Sequence, residues 1–217
     1  MLLKKSNLSI PLALMTLPTS MPILAAAIEP GDIIITEVMA NPSTVSDSNG
    51  EWFEIYNTTN STLNLANLNI SDGNSDSHTL SSDPLNLAPK SFFVFGRNGD
   101  IATNGGYSAD YAYSGMSLTN SSDQIILSLA GIVIAQLAYS SGFVLNGISS
   151  ELKILPSIAG NFGGTPEMAS YLYGTNNYGT PGAMNSTDFT AVPLPAALPQ
   201  LILALGALFG FRVRRKS

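Results

Sequence analysis

The middle of the chain is predicted to fold as an all-β sandwich, and three observations predict it. Apolar and β-branched residues alternate with period two rather than at helical spacing. Seven or so such runs are separated by short stretches rich in Gly, Pro, Ser, Thr and Asn. No apolar pattern between them supports a helix of three turns, which leaves two packed sheets as the way to bury the runs. The body, residues 28–191, is 164 residues long, enough to bury most of its surface without cross-links. With no cysteine in the chain, neither a disulfide framework nor thiolate chemistry is available.

The elements follow in order. Residues 33–38 (IIITEV) are β-branched and run into the turn signal Asn41-Pro42. In residues 51–57 (EWFEIYN), Trp52, Glu54 and Tyr56 face one way and Phe53 and Ile55 the other. Leu63 and Leu65 alternate, then Leu68 and Ile70 in the opposite phase, so a bulge or tight turn is expected at Ala66-Asn67. Residues 91–97 (SFFVFGR) are aromatic and β-rich. Residues 124–129 and 132–139 flank Ala130-Gly131, a two-residue hairpin signal. Residues 150–155 (SELKIL) are expected as a last short strand. Between 41 and 84, 22 of 44 residues are Ser, Thr or Asn, which cap turns and replace Lys and Glu as the solvated face.

Charge divides the chain into three. Residues 1–27 carry +2, residues 192–217 carry +4, and residues 28–191 hold Lys90, Arg97 and Lys153 against all 15 acids, for −12. An acidic, lysine-poor body repels phosphate backbones, so nucleic acid is not an expected partner. Residues 1–27 have the order of a secretory signal peptide: Lys4-Lys5, a mostly apolar stretch from Ile10 to Leu24, then Ala25-Ala26-Ala27. Prolines at 11, 18 and 22 argue against a spanning helix there, and cleavage is expected after Ala27. Residues 188–191 are read as a linker. After the motif at 192–197 comes an uncharged apolar run, 198–211, expected as a single transmembrane helix, and a basic tail, 212–217. Arg212, Arg214, Arg215 and Lys216 place that end on the cytoplasmic side by the positive-inside rule.

The tail resembles the PEP-CTERM family of sorting signals in its VPLPA variant. The resemblance rests on Val192, Pro193, Leu194, Pro195 and Ala196, the short apolar run and the closing basic cluster, in that order. It implies recognition by a membrane-embedded exosortase in a Gram-negative bacterium, with the tail a transient anchor. Pro193 and Pro195 keep the motif extended, as a peptide read by a protease-like site must be.

A second resemblance covers about residues 30–187. Residues 33–39 look like the opening strand of the lamin tail domain family, and residues 49–57 (NGEWFEIYN) are similar to its signature strand. Residues 65–73, Leu87-Ala88-Pro89-Lys90 before 91–95, Ser117-Leu118 with Ser121-Ser122-Asp123, and residues 178–185 (YGTPGAMN) match its later segments in order. The resemblance implies an immunoglobulin-like antiparallel β-sandwich over residues 28–187. An arginine common where Lys153 sits, and a tryptophan often preceding the TPG, are absent.

Few residues invite chemistry. Glu51 and Glu54 are three apart on a strand, which places them on opposite faces and not in a dyad; Glu51 is expected to pair with Glu37 or to bind backbone amides. Asp76, Ser77 and His78 are adjacent on one loop and cannot adopt triad geometry. Asp72, Asn74 and Asp76 have the spacing that opens an EF-hand loop, but Ser77 replaces its glycine and Asp83 its final glutamate. A weak calcium site there stands against an Asx-rich turn, and no other cofactor is expected; Asp47-Ser48-Asn49-Gly50-Glu51 is read the same way. Tyr107, Tyr111 and Tyr113 lie in a glycine-rich stretch and are expected as the exposed aromatics.

The functional expectation is an exported, exosortase-sorted, non-enzymatic β-sandwich module, acting at the cell surface or in the extracellular matrix by binding or structural packing. Signal peptidase, exosortase and, transiently, the inner membrane are the partners expected during export, with exopolysaccharide or a surface protein as candidate ligands. The alternative is an accessory binding domain for extracellular hydrolysis, since lamin tail domains occur fused to secreted nucleases and phosphoesterases.

Overall fold

In a computed structural model of the chain, residues 27–152 and 167–186 are described. The signal peptide, the linker and the sorting tail expected above lie outside them. Among the described residues there are fourteen strands: β1 (Ile33–Met39), β2 (Trp52–Asn57), β3 (Leu63–Asn64), β4 (Asn69–Ser71), β5 (Ser77–Thr79), β6 (Asn86–Leu87), β7 (Phe92–Gly96), β8 (Tyr111–Ala112), β9 (Asp123–Leu129), β10 (Ile132–Tyr139), β11 (Ser150–Glu151), β12 (Glu167–Met168), β13 (Leu172–Tyr173) and β14 (Asn177–Tyr178). A one-turn helix, α1 (Asp47–Gly50), and a 3-10 turn at Ser141–Phe143 complete them.

The long strands are the ones the alternation predicts; the extra ones are two- or three-residue pairings made by the Ser- and Asn-rich connections. A six-stranded sheet runs β12-β11-β1-β2-β7-β8, and a four-stranded sheet runs β10-β9-β4-β5. One pair departs from the antiparallel expectation: β7 and β8 are parallel, because residues 97–110 carry the chain back over the sheet before Tyr111 joins its edge. The expected strand at 150–155 is paired only at Ser150–Glu151, and residues 153–155 lie outside the described part.

Between the sheets, Ile35, Val38, Phe53 and Ile55 from one side meet Ile70, Ile125, Leu127 and Leu137 from the other. Phe53 and Phe95 stack with centroids 4.9 Å apart. Each such buried side chain contributes about 2 kcal/mol by its transfer out of water. The Ala130-Gly131 turn has φ of 50° and 81°, the two left-handed residues that a hairpin turn matching strand twist requires. The phase change at Ala66-Asn67 is a tight turn: Asn67 has φ 62°, and the Leu68 N–H donates to the Leu65 carbonyl at 3.0 Å.

The alternation in β2 holds. Phe53 and Ile55 enter the core between the sheets, while Trp52 and Glu54 face outward. That outer face is nevertheless buried. Met39, Trp52, Val94 and Tyr107 form a second apolar cluster on it, covered by Ala109 and Tyr173. The loop after β7 and the closing segment, residues 170–186, form the lid.

Candidate functional site

The outer face of the six-stranded sheet carries a row of glutamates. Glu37 on β1 is the register partner of Glu54 on β2 and of Glu151 on β11. Glu151 is in turn the register partner of Glu167 on β12. Register partners share a face, with Cβ atoms about 5 Å apart, so three adjacent strands, β2, β1 and β11, contribute glutamates to one line. Glu37, Glu54 and Glu151 are fully buried. A register shift between Ile35 and Glu37 makes the row: it leaves Thr36 unpaired, and the Thr36 hydroxyl donates to Glu54 Oε1 at 2.7 Å.

The closing segment satisfies the carboxyl oxygens. The Thr180 N–H donates to Glu37 Oε1 at 2.9 Å, and the Ser149 hydroxyl donates to the same oxygen. The Thr180 hydroxyl lies 2.8 Å from Glu37 Oε2 and 3.3 Å from Glu151 Oε1, and its one proton serves one of them at a time. The Gly182 N–H donates to Glu54 Oε2 at 2.6 Å. Ser186 gives its N–H to Glu151 Oε1 at 3.0 Å and its hydroxyl to Oε2 at 2.6 Å. Asn185 is stitched to the same strands, its side-chain N–H groups donating to the Thr36 and Leu152 carbonyls at 2.9 and 2.8 Å. Gly179 allows the close approach here, because a Cβ would lie 2.9 Å from Glu37 Oε1 and 3.0 Å from Trp52.

Burial of like charges side by side favours the protonated form. Burial pushes the Glu54 carboxyl up to about 9 and its neighbour Glu37 adds to the effect, against hydrogen bonds from Thr36, Gly182 and Ala183. Burial likewise lifts Glu37 to about 7, opposed by Ser149 and Thr180. Among the described residues the only Lys and Arg side chains are engaged elsewhere: Lys90 donates to the Thr58 carbonyl and Arg97 pairs with Glu51.

Glu51 is separate from this row. Its Oε2 accepts from Arg97 at 3.0 Å and from the Leu118 N–H at 3.0 Å, and burial raises its carboxyl to about 7. Of the two roles expected for it, binding a backbone amide is the one observed; the partner of Glu37 is Glu54. Glu51 and Glu54 share no bonding partner, as their spacing implies. Beside them, Trp52 Nε1–H donates to the Tyr173 hydroxyl at 2.9 Å, and Tyr173 meets Trp52 edge-on.

The tyrosine expectation is corrected. Tyr107 and Tyr113 are buried and only Tyr111 is partly exposed. The glycines around them serve close packing: a Cβ on Gly96 would collide with the Tyr107 ring. His78 spans Tyr111 and Ser114, with Nε2 3.0 Å from the Tyr111 hydroxyl. At the candidate calcium loop, Asp72 Oδ1 accepts the N–H groups of Asn74 at 2.7 Å and Asp76 at 3.2 Å, an Asx turn. Asp76 takes the Ser117 hydroxyl at 3.3 Å. Residues 47–50 form α1. Among the described residues no group of three His, Cys, Asp or Glu could hold a metal ion, and no helix is long and apolar enough to cross a membrane. Val192, Pro193, Leu194, Pro195, Ala196, Arg212, Arg214, Arg215 and Lys216 lie outside the described part.

Sequence reasoning named Glu37 and Glu54 but did not bring them together with Glu151 and the closing segment. The available signal was chemical: glutamates within strands whose neighbours on both faces are large and apolar have no solvated side to occupy.

Two sheets packed on a shared core, with a carboxylate row fastening the C-terminal segment across the outer face, define an immunoglobulin-like β-sandwich module. The chain belongs to the lamin tail domain family: the family model described as Lamin Tail Domain matches residues 26–141. That match takes in β1 to β10 with Glu37, Glu51 and Glu54, while Glu151 and the closing segment follow it. No curated protein matches the chain.

Proposed function

We propose that the chain is an exported, non-enzymatic β-sandwich module that acts at a bacterial cell surface or in the extracellular matrix by binding or structural packing. The observation that carries the non-enzymatic part is the use made of the buried carboxyls. Glu37, Glu54 and Glu151 accept hydrogen bonds from N–H and O–H groups of the closing segment, and Glu51 from the Leu118 N–H and Arg97, so all four are engaged by the protein itself. The tail supports the route: Val192-Pro193-Leu194-Pro195-Ala196, the apolar run and Arg212–Lys216 stand in the order of an exosortase sorting signal. On this reading signal peptidase removes residues 1–27, the inner membrane holds the tail briefly, and exosortase cuts within or just after 192–197.

The experiment is made in the native host. Replacing Pro193 and Pro195 with Ala should trap the protein at the inner membrane at the mass of the uncut form. Unchanged surface export and mature mass in that variant would reduce the tail to a plain anchor.

A further inference from the structure

The sequence holds four Asn-Gly pairs, at 49–50, 98–99, 104–105 and 146–147. Such a pair carries its own chemistry. The glycine backbone nitrogen can attack the carbonyl carbon of the asparagine side chain, because glycine puts no Cβ in the way. Access decides whether it does. The glycine N–H must be unengaged, the side chain must lie along the following peptide, and water must reach the ring that forms.

Three of the pairs are protected. The Gly50 N–H donates to the Ser46 carbonyl at 2.9 Å, within α1. The Gly147 N–H donates to the Asn41 carbonyl at 2.7 Å, and the Asn146 side-chain N–H donates to Asn41 Oδ1 at 3.2 Å. Asn104 is buried and fully engaged. Its side-chain N–H groups go to the Asn98 and Tyr107 carbonyls, each at 3.0 Å, and its Oδ1 takes the Gly106 N–H at 3.0 Å.

The pair at 98–99 differs in each respect. Asn98 is half-buried and Gly99 is exposed. Among the described residues no acceptor takes the Gly99 N–H. The Asp100 N–H donates to Asn98 Oδ1 at 2.9 Å, an Asx turn that folds the side chain back over residue 99 and polarises its carbonyl. Asn98 Nδ2 donates to the Thr103 hydroxyl at 2.9 Å, which holds the other end. A Cβ on Gly99 would meet only the Ala112 Cβ, at 3.5 Å, so a five-membered ring has room.

From these observations we infer that Asn98-Gly99 is a self-modifying site, at which the asparagine becomes aspartate or isoaspartate in the folded chain with water as the co-reactant. The Gly99 nitrogen loses its proton and bonds to Asn98 Cγ. The Cγ–Nδ2 bond breaks, and ammonia leaves with that proton, giving a succinimide. Water then adds to one of the two ring carbonyls. Opening one way gives an aspartate at 98. Opening the other way routes the main chain through the side chain and frees the α-carboxylate. Either product puts a new carboxylate two residues from Asp100. Isoaspartate also turns the carbonyl that takes Asn104 Nδ2 into a carboxylate on a side branch, and Asn104 is what holds the Tyr107 carbonyl. The Tyr107 ring lies 5.9 Å from that of Trp52, so the reaction loosens the loop that covers the outer apolar cluster. The inference stands on the sandwich alone and not on the sorting tail.

The full-length chain is kept folded at neutral pH in water enriched in heavy oxygen, then digested in ordinary water and sequenced by mass. Heavy oxygen should accumulate at residue 98 faster than at 49, 104 or 146, with the emission of Trp52 moving to the red in step. In urea the other three should catch up. Gly99→Ala, whose methyl the 3.5 Å contact accommodates, should lose most of the label at 98 and keep its emission constant. No label at 98, equal or faster labelling at another pair in the folded chain, the same ranking in urea, or an unchanged rate in Gly99→Ala would overturn the site. Label at 98 with unmoved emission would overturn the loosening of the loop.

Discussion

Raising the pH should weaken this sandwich, and the glutamate row sets the amount. Glu54 is lifted by burial, and by Glu37 beside it, from an ordinary 4.5 to about 9, and Glu37 and Glu51 are lifted by burial to about 7. A carboxyl whose pKa rises on folding keeps its proton in the native state after the unfolded chain has lost it. Stability from these groups is complete below about pH 4.5 and drains as the pH climbs through 7 and then 9. Each retained proton is worth roughly 1.4 kcal/mol per pH unit. Glu54 alone therefore removes about 4 kcal/mol between pH 6 and pH 9, a large part of an ordinary domain's stability. Trp52, the only tryptophan, sits on the same face against Tyr173, so its fluorescence follows this region directly in urea titrations. The variant Glu54→Gln makes the argument specific. Gln keeps one acceptor oxygen and loses the other, which costs about 1 kcal/mol at pH 6. It cannot ionise, so its stability curve should cross above the parent's before pH 9. A parent whose urea midpoint is constant or rises from pH 6 to 9, or a variant whose curve never crosses, would refute the reasoning.

Two further outcomes are expected. Gly179→Ala puts a methyl 2.9 Å from Glu37 Oε1 and 3.0 Å from Trp52, so the closing segment must shift; amide exchange at Thr180 and Gly182 should speed up more than exchange in β9 and β10, with a loss of about 2 kcal/mol. Tyr173→Phe keeps the ring against Trp52 but leaves the indole N–H without its 2.9 Å acceptor; the loss should be about 1–2 kcal/mol by urea midpoint, with a shift in Trp52 emission.

What the sequence made legible was whatever period two and turn chemistry control. The β2 alternation, the Ala130-Gly131 hairpin and the Ala66-Asn67 phase change are local, and each is found where it was read. The exposure of Tyr107 and Tyr113 was misjudged because a glycine-rich stretch looks like an open loop; here its glycines let tyrosine rings approach backbone closely, as at Gly96. The carboxylate row was out of reach for another reason. Glu37, Glu54 and Glu151 are separated by 17 and 97 residues, and nothing local indicates that a one-residue bulge at Thr36 brings the first two into register. Their partners, Thr180, Gly182 and Ser186, are farther still along the chain.

A row of buried carboxyls is a costly way to hold a strap, since apolar side chains of the same volume would avoid the desolvation. What apolar packing does not supply is register. A closing segment held by contact area alone can slide by a residue at small cost. A segment whose N–H and O–H groups at 180, 182 and 186 must each find a particular carboxyl oxygen has one position. The last of these donors, Ser186, ties the end of the segment to Glu151 on β11. A defined position for the closing segment is what the glutamate row provides, and the protons on Glu37 and Glu54 that ionisation would strip away keep it intact. On this account the same residues set the pH range of the fold and the register of the closing segment. Stripping those protons should then free the closing segment before it unfolds the sandwich.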